Sequence, residues 1–257
     1  MRAAAWGAAI GLLGGLIGLG GAEFRLPVLI GVFLIAAHAA VRLNLLVSLV
    51  TLLASAAARA LVLPPSAIAP HWAEITALAA FAMVAAWFGA GWLAQLPVRR
   101  LKRIIAALLA AIGLLLLAEA LAGDALALGA APGGAWRPVA GAAFGVAIGL
   151  VSSLLGVAGG ELIIPTLIFV FGMDIREAGS ASLLISLPAV AVGVVRHASA
   201  GGYADRASLR GIGLPMATGS VAGALAGAAL LPFAPVSALK IGLGAILLVS
   251  SWKMWRA

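Results

Sequence analysis

The sequence predicts an all-α polytopic membrane protein built from two inverted-topology repeats. Each repeat is expected to hold a broken or re-entrant helix hairpin followed by three transmembrane helices. Three observations favour this fold: the composition, an internal repeat, and the distribution of positive charge. The 257-residue chain is 64% hydrophobic and 9% charged, whereas soluble domains carry about 25% charged residues. Such a chain cannot bury its apolar side chains in a soluble core of this size.

The internal repeat appears when the sequence is shifted by 138 residues. Between residues 7–33 and 145–171, 14 of 27 positions are identical. Low-complexity sequence produces chance matches of Ala, Leu and Gly, but not the matched pairs Glu23/Glu161 and Pro27/Pro165. We therefore assign residues 1–122 to a first repeat unit and 138–257 to a second, joined by a connecting loop at 123–137.

Each unit contains five apolar runs, and about 20 apolar residues span a bilayer. The runs are 3–20, 26–41, 43–63, 72–95 and 102–122, and then 138–157, 164–173, 178–198, 208–231 and 238–255. The first two runs of a unit allow a broken span, a re-entrant hairpin or two full spans. Glycines spaced four apart in the first run of each unit, such as Gly7 and Gly11, predict helix contact faces.

The positive charges distinguish these alternatives. An even number of crossings per unit distributes the cations without bias, whereas an odd number places eleven on one side and four on the other. The positive-inside rule then predicts inverted repeats with both termini in the cytoplasm. The shortness of the run 164–173 favours hairpins, and thus six crossings over ten. The four cations of the sparse side are Arg59, Arg137, Arg176 and Lys240.

Two related segments interrupt the apolar pattern: GLGGAEFRLPVLI at 18–30 and GVAGGELIIPTLI at 156–168. Proline suits the first turn of a helix and disfavours helix in the residue before it. We therefore expect unwound chain from Gly20 and Gly159, with helices starting at Pro27 and Pro165. Interrupted helices at matching places in two halves are typical of secondary transporters, whose substrate binds at the midplane between them. The positive N-terminal ends of such half-helices suit an anion.

The candidate site follows from these segments and from the helix after each of them. Arg25 is the only cation in a break, and Ile163 occupies its repeat-related position. Glu161 thus lacks that neighbour, so Glu161 and then Glu23 are the proton-coupling candidates, with helix capping as the alternative role. Polar residues spaced four apart on the next helix contact either ligand or backbone. The candidate substrate-binding residues are Gly20, Gly21, Ala22, Glu23, Arg25, Pro27, Asn44, Ser48, Gly159, Gly160, Glu161, Pro165, Ser182 and Ser186.

Other chemistry is poorly supported by the sequence. The chain has no cysteine, and its three histidines are far apart, so we expect no disulfide, metal or cofactor. The expected partners are a small anionic substrate and membrane lipid, without nucleic acid, and a homodimer is left open. A membrane-embedded enzyme is disfavoured because Asp124, Asp174 and Asp205 lie in connecting stretches. A passive anion channel is the stronger alternative to a carrier.

At these residues the sequence resembles the sulfite exporter TauE/SafE family of bacterial anion permeases. Members show a glycine-rich GxGGG…P segment near the start of each half. The matching residues here are Gly18, Gly20, Gly21 and Pro27, and then Gly156, Gly159, Gly160 and Pro165. The stretch GSASLLISLPAVAVGVVRHASAG, which includes His197, also matches. The resemblance implies transport of sulfite, sulfonates or related sulfur-containing anions across the bacterial inner membrane, with proton coupling as one version.

Overall fold

A computed structural model describes residues 1–92, 98–122, 134, 136–155, 159–199, 201, 203 and 205–256. The described residues contain no strand, and their longer helices fall into two sets of five. The first half holds α1 (Arg2–Ile17), α2 (Ala22–Gly31), α3 (Ala37–Val62), α4 (Trp72–Trp92) and α5 (Val98–Ala122). The second half holds α6 (Trp136–Leu155), α7 (Gly160–Phe169), α8 (Ile175–Ser199), α9 (Leu214–Leu230) and α10 (Val236–Arg256).

Five stretches among the described residues are long and apolar enough to cross a membrane. They are Ala37–Val62, Pro65–Trp87, Ile175–Ser199, Arg206–Phe233 and Val236–Lys253. By contrast, α2 and α7 contain ten residues each. A helix of that length measures about 15 Å, half of a hydrocarbon core of about 30 Å. The fold is therefore an all-α polytopic membrane protein with two helices too short to cross.

The helix boundaries repeat at the offset found in the sequence. Helices α2 and α7 begin at Ala22 and Gly160, and α5 and α10 begin at Val98 and Val236. Each pair differs by the same 138 positions. The two halves thus form the same series of helices in the same order.

Close helix packing joins the halves. On α1, a Cβ at Gly7 or Gly11 would collide with the backbone of Met216 or Ser220 on α9. The repeat-related helices α6 and α4 pack in the same way, since a Cβ at Gly149 would collide with the backbone of Ala82. The spaced glycines are helix contact faces, as predicted. Each half therefore packs its first long helix against the fourth helix of the other half.

Repeat-related helices run in opposite directions where they meet. Helix α3 packs on α8 with Leu45 near Gly193 and Arg59 near Ser180. Helix α5 packs on α10 in the same antiparallel manner, with Glu119 near Lys240 and Ala106 near Ser251. We call the end where α3 begins and α8 ends the basic face, and the opposite end the sparse face.

Helix α2 folds back toward the basic face. Its first carbonyl, on Ala22, lies beside Asn44 in α3. Farther along α2, Val28 packs in one cluster with Ala40 near the start of α3 and Ala3 near the start of α1. Together α1 and α2 form a helical hairpin, with the start of α1 and the end of α2 both at the basic face.

Two predicted boundaries are wrong. The run 26–41 is not one element, because α2 ends at Gly31 and a turn containing Leu34 at φ 54° precedes α3. The turn divides the apolar run without a polar residue to mark it. Trp136 and Arg137, assigned to the connecting loop, open α6. Residues 123–133 and 135 of that loop lie outside the described residues.

Candidate substrate site at the two glycine breaks

The glycine that precedes each half-helix has nearly the same backbone conformation in the two breaks. Gly21 has φ 71° and ψ 7°, and Gly159 has φ 73° and ψ 7°. These left-handed conformations cost most other residues about 1–2 kcal/mol. Each glycine immediately precedes a half-helix: the amide of Arg25 donates to the carbonyl of Gly21 at 3.0 Å, and that of Ile163 to Gly159 at 3.0 Å.

The prediction that the half-helices start at Pro27 and Pro165 is therefore wrong. Both prolines lie inside helices that begin five residues earlier. The left-handed glycine, Gly21 or Gly159, already redirects the chain, so the helix starts at the next residue. An internal proline removes one helical N–H donor, so the carbonyls of Glu23 and Glu161 lack their usual donor four residues later. Pro165 is buried, whereas Pro27 is exposed. The neighbouring residues 156–158 lie outside the described residues.

The structure brings the two breaks together. A Cβ at Gly160 would lie 3.4 Å from the side chain of Leu19 and 3.9 Å from Glu23 Oε1. The hydroxyl of Ser182 on α8 donates to the carbonyl of Gly18 at 2.6 Å. The start of α7 thus faces the first break. Helix α8 binds the chain at Gly18, just before the first break.

Arg25 is fully buried against α3. Its Nη1 donates to Ser48 Oγ at 2.7 Å, and its Nη2 donates to Thr51 Oγ1 at 3.0 Å. Its Nε is buried without a hydrogen-bond partner. Two hydroxyls therefore fix the guanidinium, while its Nε–H has no partner.

The polar residues on α3 and α8 contact the breaks unequally. Asn44 Nδ2 donates to the carbonyl of Ala22 at 3.3 Å, while its Oδ1 is buried without a partner. Ser182 binds the opposite half's break rather than its own. Ser186 is buried on the same helix. Gly20 lies against Leu52 of α3: a Cβ at Gly20 would lie 3.2 Å from the Leu52 side chain.

Two carboxylates lie close to one another at this meeting point. Glu23 and Glu161 both occupy the first turn of a half-helix, and they interact electrostatically. Both carboxylate oxygens of Glu23 are buried without a hydrogen-bond partner. Glu161 accepts a hydrogen bond from the hydroxyl of Ser250 on α10. Two nearby carboxylates disfavour the doubly ionised state, so the ionisation of one depends on that of the other.

Three contributing residues were not selected from the sequence. Thr51 holds Arg25, and Ser250 holds Glu161 from a position 89 residues away. Arg59, interpreted only as an orientation cation, is 1% exposed and donates to the carbonyls of Gly15 and Leu16, both at 2.9 Å. A lone cation inside the long apolar run 43–63 was the available signal for Arg59. No sequence spacing connects Ser250 to Glu161.

The comparisons with known proteins agree with this architecture. The family model described as sulfite exporter TauE/SafE matches residues 3–254. No curated protein and no solved structure gives a significant match. The family match covers nearly the whole chain, including both breaks and all ten helices. This chain therefore belongs to the sulfite exporter TauE/SafE family.

Proposed function

We propose that this protein is a secondary transporter that carries a small sulfur-containing anion, such as sulfite or a sulfonate, across the bacterial cytoplasmic membrane. Family membership makes it a membrane transporter of sulfur anions. The observation that supports the proposed site is the meeting of two left-handed glycine breaks, each followed by a half-helix. Free N–H groups at helix N-termini favour anions, and the buried Arg25 adds a formal positive charge.

The carboxylates of Glu23 and Glu161 give this proposal a route to proton coupling. A carboxylate in the first turn of a helix interacts with the same N–H groups as a bound anion. When Glu23 and Glu161 are both ionised, they outnumber the single positive charge of Arg25. The site is then net negative and repels an incoming anion. Protonating one acid removes the repulsion, so the anion and a proton enter together. We assign the coupling proton to Glu161, because no cation occupies position 163 beside it.

The orientation rests on the contrast between the two faces. On the sparse face, Arg137 Nε lies 2.8 Å from Glu74 Oε1, and Lys240 Nζ lies 2.7 Å from Glu119 Oε1. Arg59 and Arg176 on that face donate to backbone carbonyls. Most described cations of the basic face are exposed: Arg2, Arg103, Arg196, Arg206, Arg210 and Lys253. We infer inverted halves with six crossings and both termini in the cytoplasm. A reporter fused after residue 257 is expected there, and a periplasmic reporter would contradict the assignment.

The direct test is flux into proteoliposomes containing the purified chain. We expect saturable uptake of sulfite or sulfoacetate, accelerated by an inwardly directed proton gradient and by the same anion loaded inside. Acetate and protein-free vesicles are the controls. Unsaturable, purely electrogenic flux would replace the carrier with a channel. Absence of flux for sulfite, thiosulfate and sulfoacetate would overturn the proposal.

A further inference from the structure

A cavity lined by basic residues lies on the basic face, away from the glycine breaks. It has a volume of about 480 Å³ and lies between the start of α3 and the end of α8. Its lining residues are Ala37, His38, Val41, Arg42 and His197. Three of the five side chains carry or can accept a positive charge.

The repeat places a closed counterpart on the sparse face. Shifting by 138 positions takes His38 to Arg176 and Arg42 to Ser180, and it takes Arg59 to His197. At the counterpart, Arg59 Nε donates to Ser180 Oγ at 3.0 Å and Arg59 Nη2 to the carbonyl of Arg176 at 2.6 Å. Helices α3 and α8 are thus joined by the buried Arg59 at the sparse face, whereas a cavity separates them at the basic face.

The charges around the open cavity favour an anion. Arg42 Nε donates to the carbonyl of His38 at 3.2 Å, a neutral acceptor, and Arg42 forms no salt bridge with a described residue. The adjacent Arg196 places its guanidinium over the ring of Trp87, with 5.6 Å between Cζ and the ring centroid. Asp205 lines a neighbouring cleft with Arg42, where its carboxylate accepts hydrogen bonds from the amides of Ala207 and Ser208 at 3.1 and 3.2 Å. Its negative charge offsets part of the positive charge beside the cavity, but Asp205 does not line the cavity itself.

We propose that this cavity is a peripheral oxyanion-binding site, which receives a sulfonate- or phosphate-type group at the cytoplasmic end of the protein. A cleft lined by one sign of charge raises the local concentration of the opposite ion by about 10-fold or more. In transport, which rests on the proposed function, the cavity concentrates the substrate beside the α3–α8 pair. The same chemistry suits a lipid phosphate, so the test must separate the two sources.

The absence of cysteine from the chain permits a direct measurement of the local potential. Ala37→Cys places one thiol in the cavity, and Ala207→Cys places one on the exposed surface of the same face. Each thiol is modified with the anionic sulfonatoethyl methanethiosulfonate and with its cationic trimethylammonium analogue. We expect the anionic-to-cationic rate ratio at position 37 to fall about 10-fold when Arg42→Gln and His197→Gln are added. The ratio at position 207 should stay within twofold.

Protection of the single Ala37→Cys variant identifies the occupant and needs no further substitution. Ethanesulfonate should slow the anionic reagent severalfold in phosphate-free maltoside micelles, which shows a site for free anions. Slowing only in phosphatidylglycerol nanodiscs, without an effect of ethanesulfonate, would assign the site to lipid phosphate. No protection by either, or an unchanged rate ratio in the charge-removed variant, would overturn the proposal. Because thiol modification measures no transport, this result is independent of the flux assay.

Discussion

The two glycine breaks share a left-handed glycine followed by a half-helix, but they carry different side chains. In the first, Arg25 is held by two hydroxyls of α3, a helix of its own half. In the second, the related Ile163 is 2% exposed, and the charged residue Glu161 is held by Ser250 of α10. The repeat therefore supplies two similar half-helix ends, while the side chains distinguish a break that carries an acid and a cation from one that carries an acid alone.

The carboxylates show the same inequality at closer range. Glu23 has a cation two residues away but no hydrogen-bond partner for its oxygens. Glu161 has no cation at the related position, but α10 supplies it with the hydroxyl of Ser250 and the positive charge of Lys253. If the backbone alone made the site, exchanging side chains between the breaks would be harmless. If the side chains of the two breaks have different roles, equivalent substitutions in the two halves must have different effects.

The largest effect is expected from the shared backbone, and it should be similar in both halves. Gly21→Ala and Gly159→Ala each force a left-handed residue, at a cost of about 1–2 kcal/mol. Each also drives a methyl group into a neighbour, Ile10 or Ser152. Thermal unfolding in detergent should show a clear loss of stability in both variants and loss of flux.

Gly20→Ala is the matched control for these two substitutions. Its new methyl group meets only the flexible end of Leu52, at 3.2 Å, and its repeat counterpart is already Ala158. We expect a smaller loss of stability than in either left-handed variant. Equal losses in all three would show that the breaks are sensitive to volume rather than to conformation.

The next effect should be confined to one half. Arg25→Met removes the buried cation at similar side-chain length, and hydrogen bonds to charged groups contribute about 1.5–3 kcal/mol. Anion affinity, measured as KM for flux, should weaken roughly 10–100-fold. Ile163→Met is the control at the related position and should change KM by less than about twofold. An unaltered KM in Arg25→Met would leave Arg25 as a partner of Glu23 only.

Much of this arrangement could be predicted from the sequence because rare residues mark it. Glu and Pro in register against an apolar background identify the repeat and both breaks. The predicted helix starts are wrong because a left-handed glycine, not the proline, sets the start of each half-helix, and that glycine conformation has no sequence marker of its own. The roles of Arg59 and Ser250 depend on which helices of the two halves touch, and a pattern local to one helix does not contain that information.

A third comparison concerns the acids and the pH dependence of transport. In wild type, flux should rise as the pH falls, because a protonated acid no longer repels the entering anion. Glu161→Gln mimics the protonated state, so we expect KM within about threefold of wild type and a flat pH profile. Glu23→Gln should keep a pH dependence, because Glu161 still titrates, but the profile should shift to lower pH, because Glu161 no longer faces a second carboxylate. The reverse result, a flat profile only in Glu23→Gln, would move the coupling proton to the first break.

The smallest expected effects separate structural from ligand-directed hydrogen bonds. Ser182→Ala removes a 2.6 Å bond to the buried carbonyl of Gly18 and should cost about 0.5–1.5 kcal/mol of stability with little change in KM.

Asn44→Ala removes a longer bond, 3.3 Å, together with a buried Oδ1 that has no partner. Losing that unsatisfied atom offsets the lost bond, so its stability should change less than that of Ser182→Ala. Its KM should rise about two- to tenfold if the amide meets the substrate or the protonated acid. A larger rise in KM for Ser182→Ala than for Asn44→Ala would show that α8, rather than α3, presents polar groups to the anion.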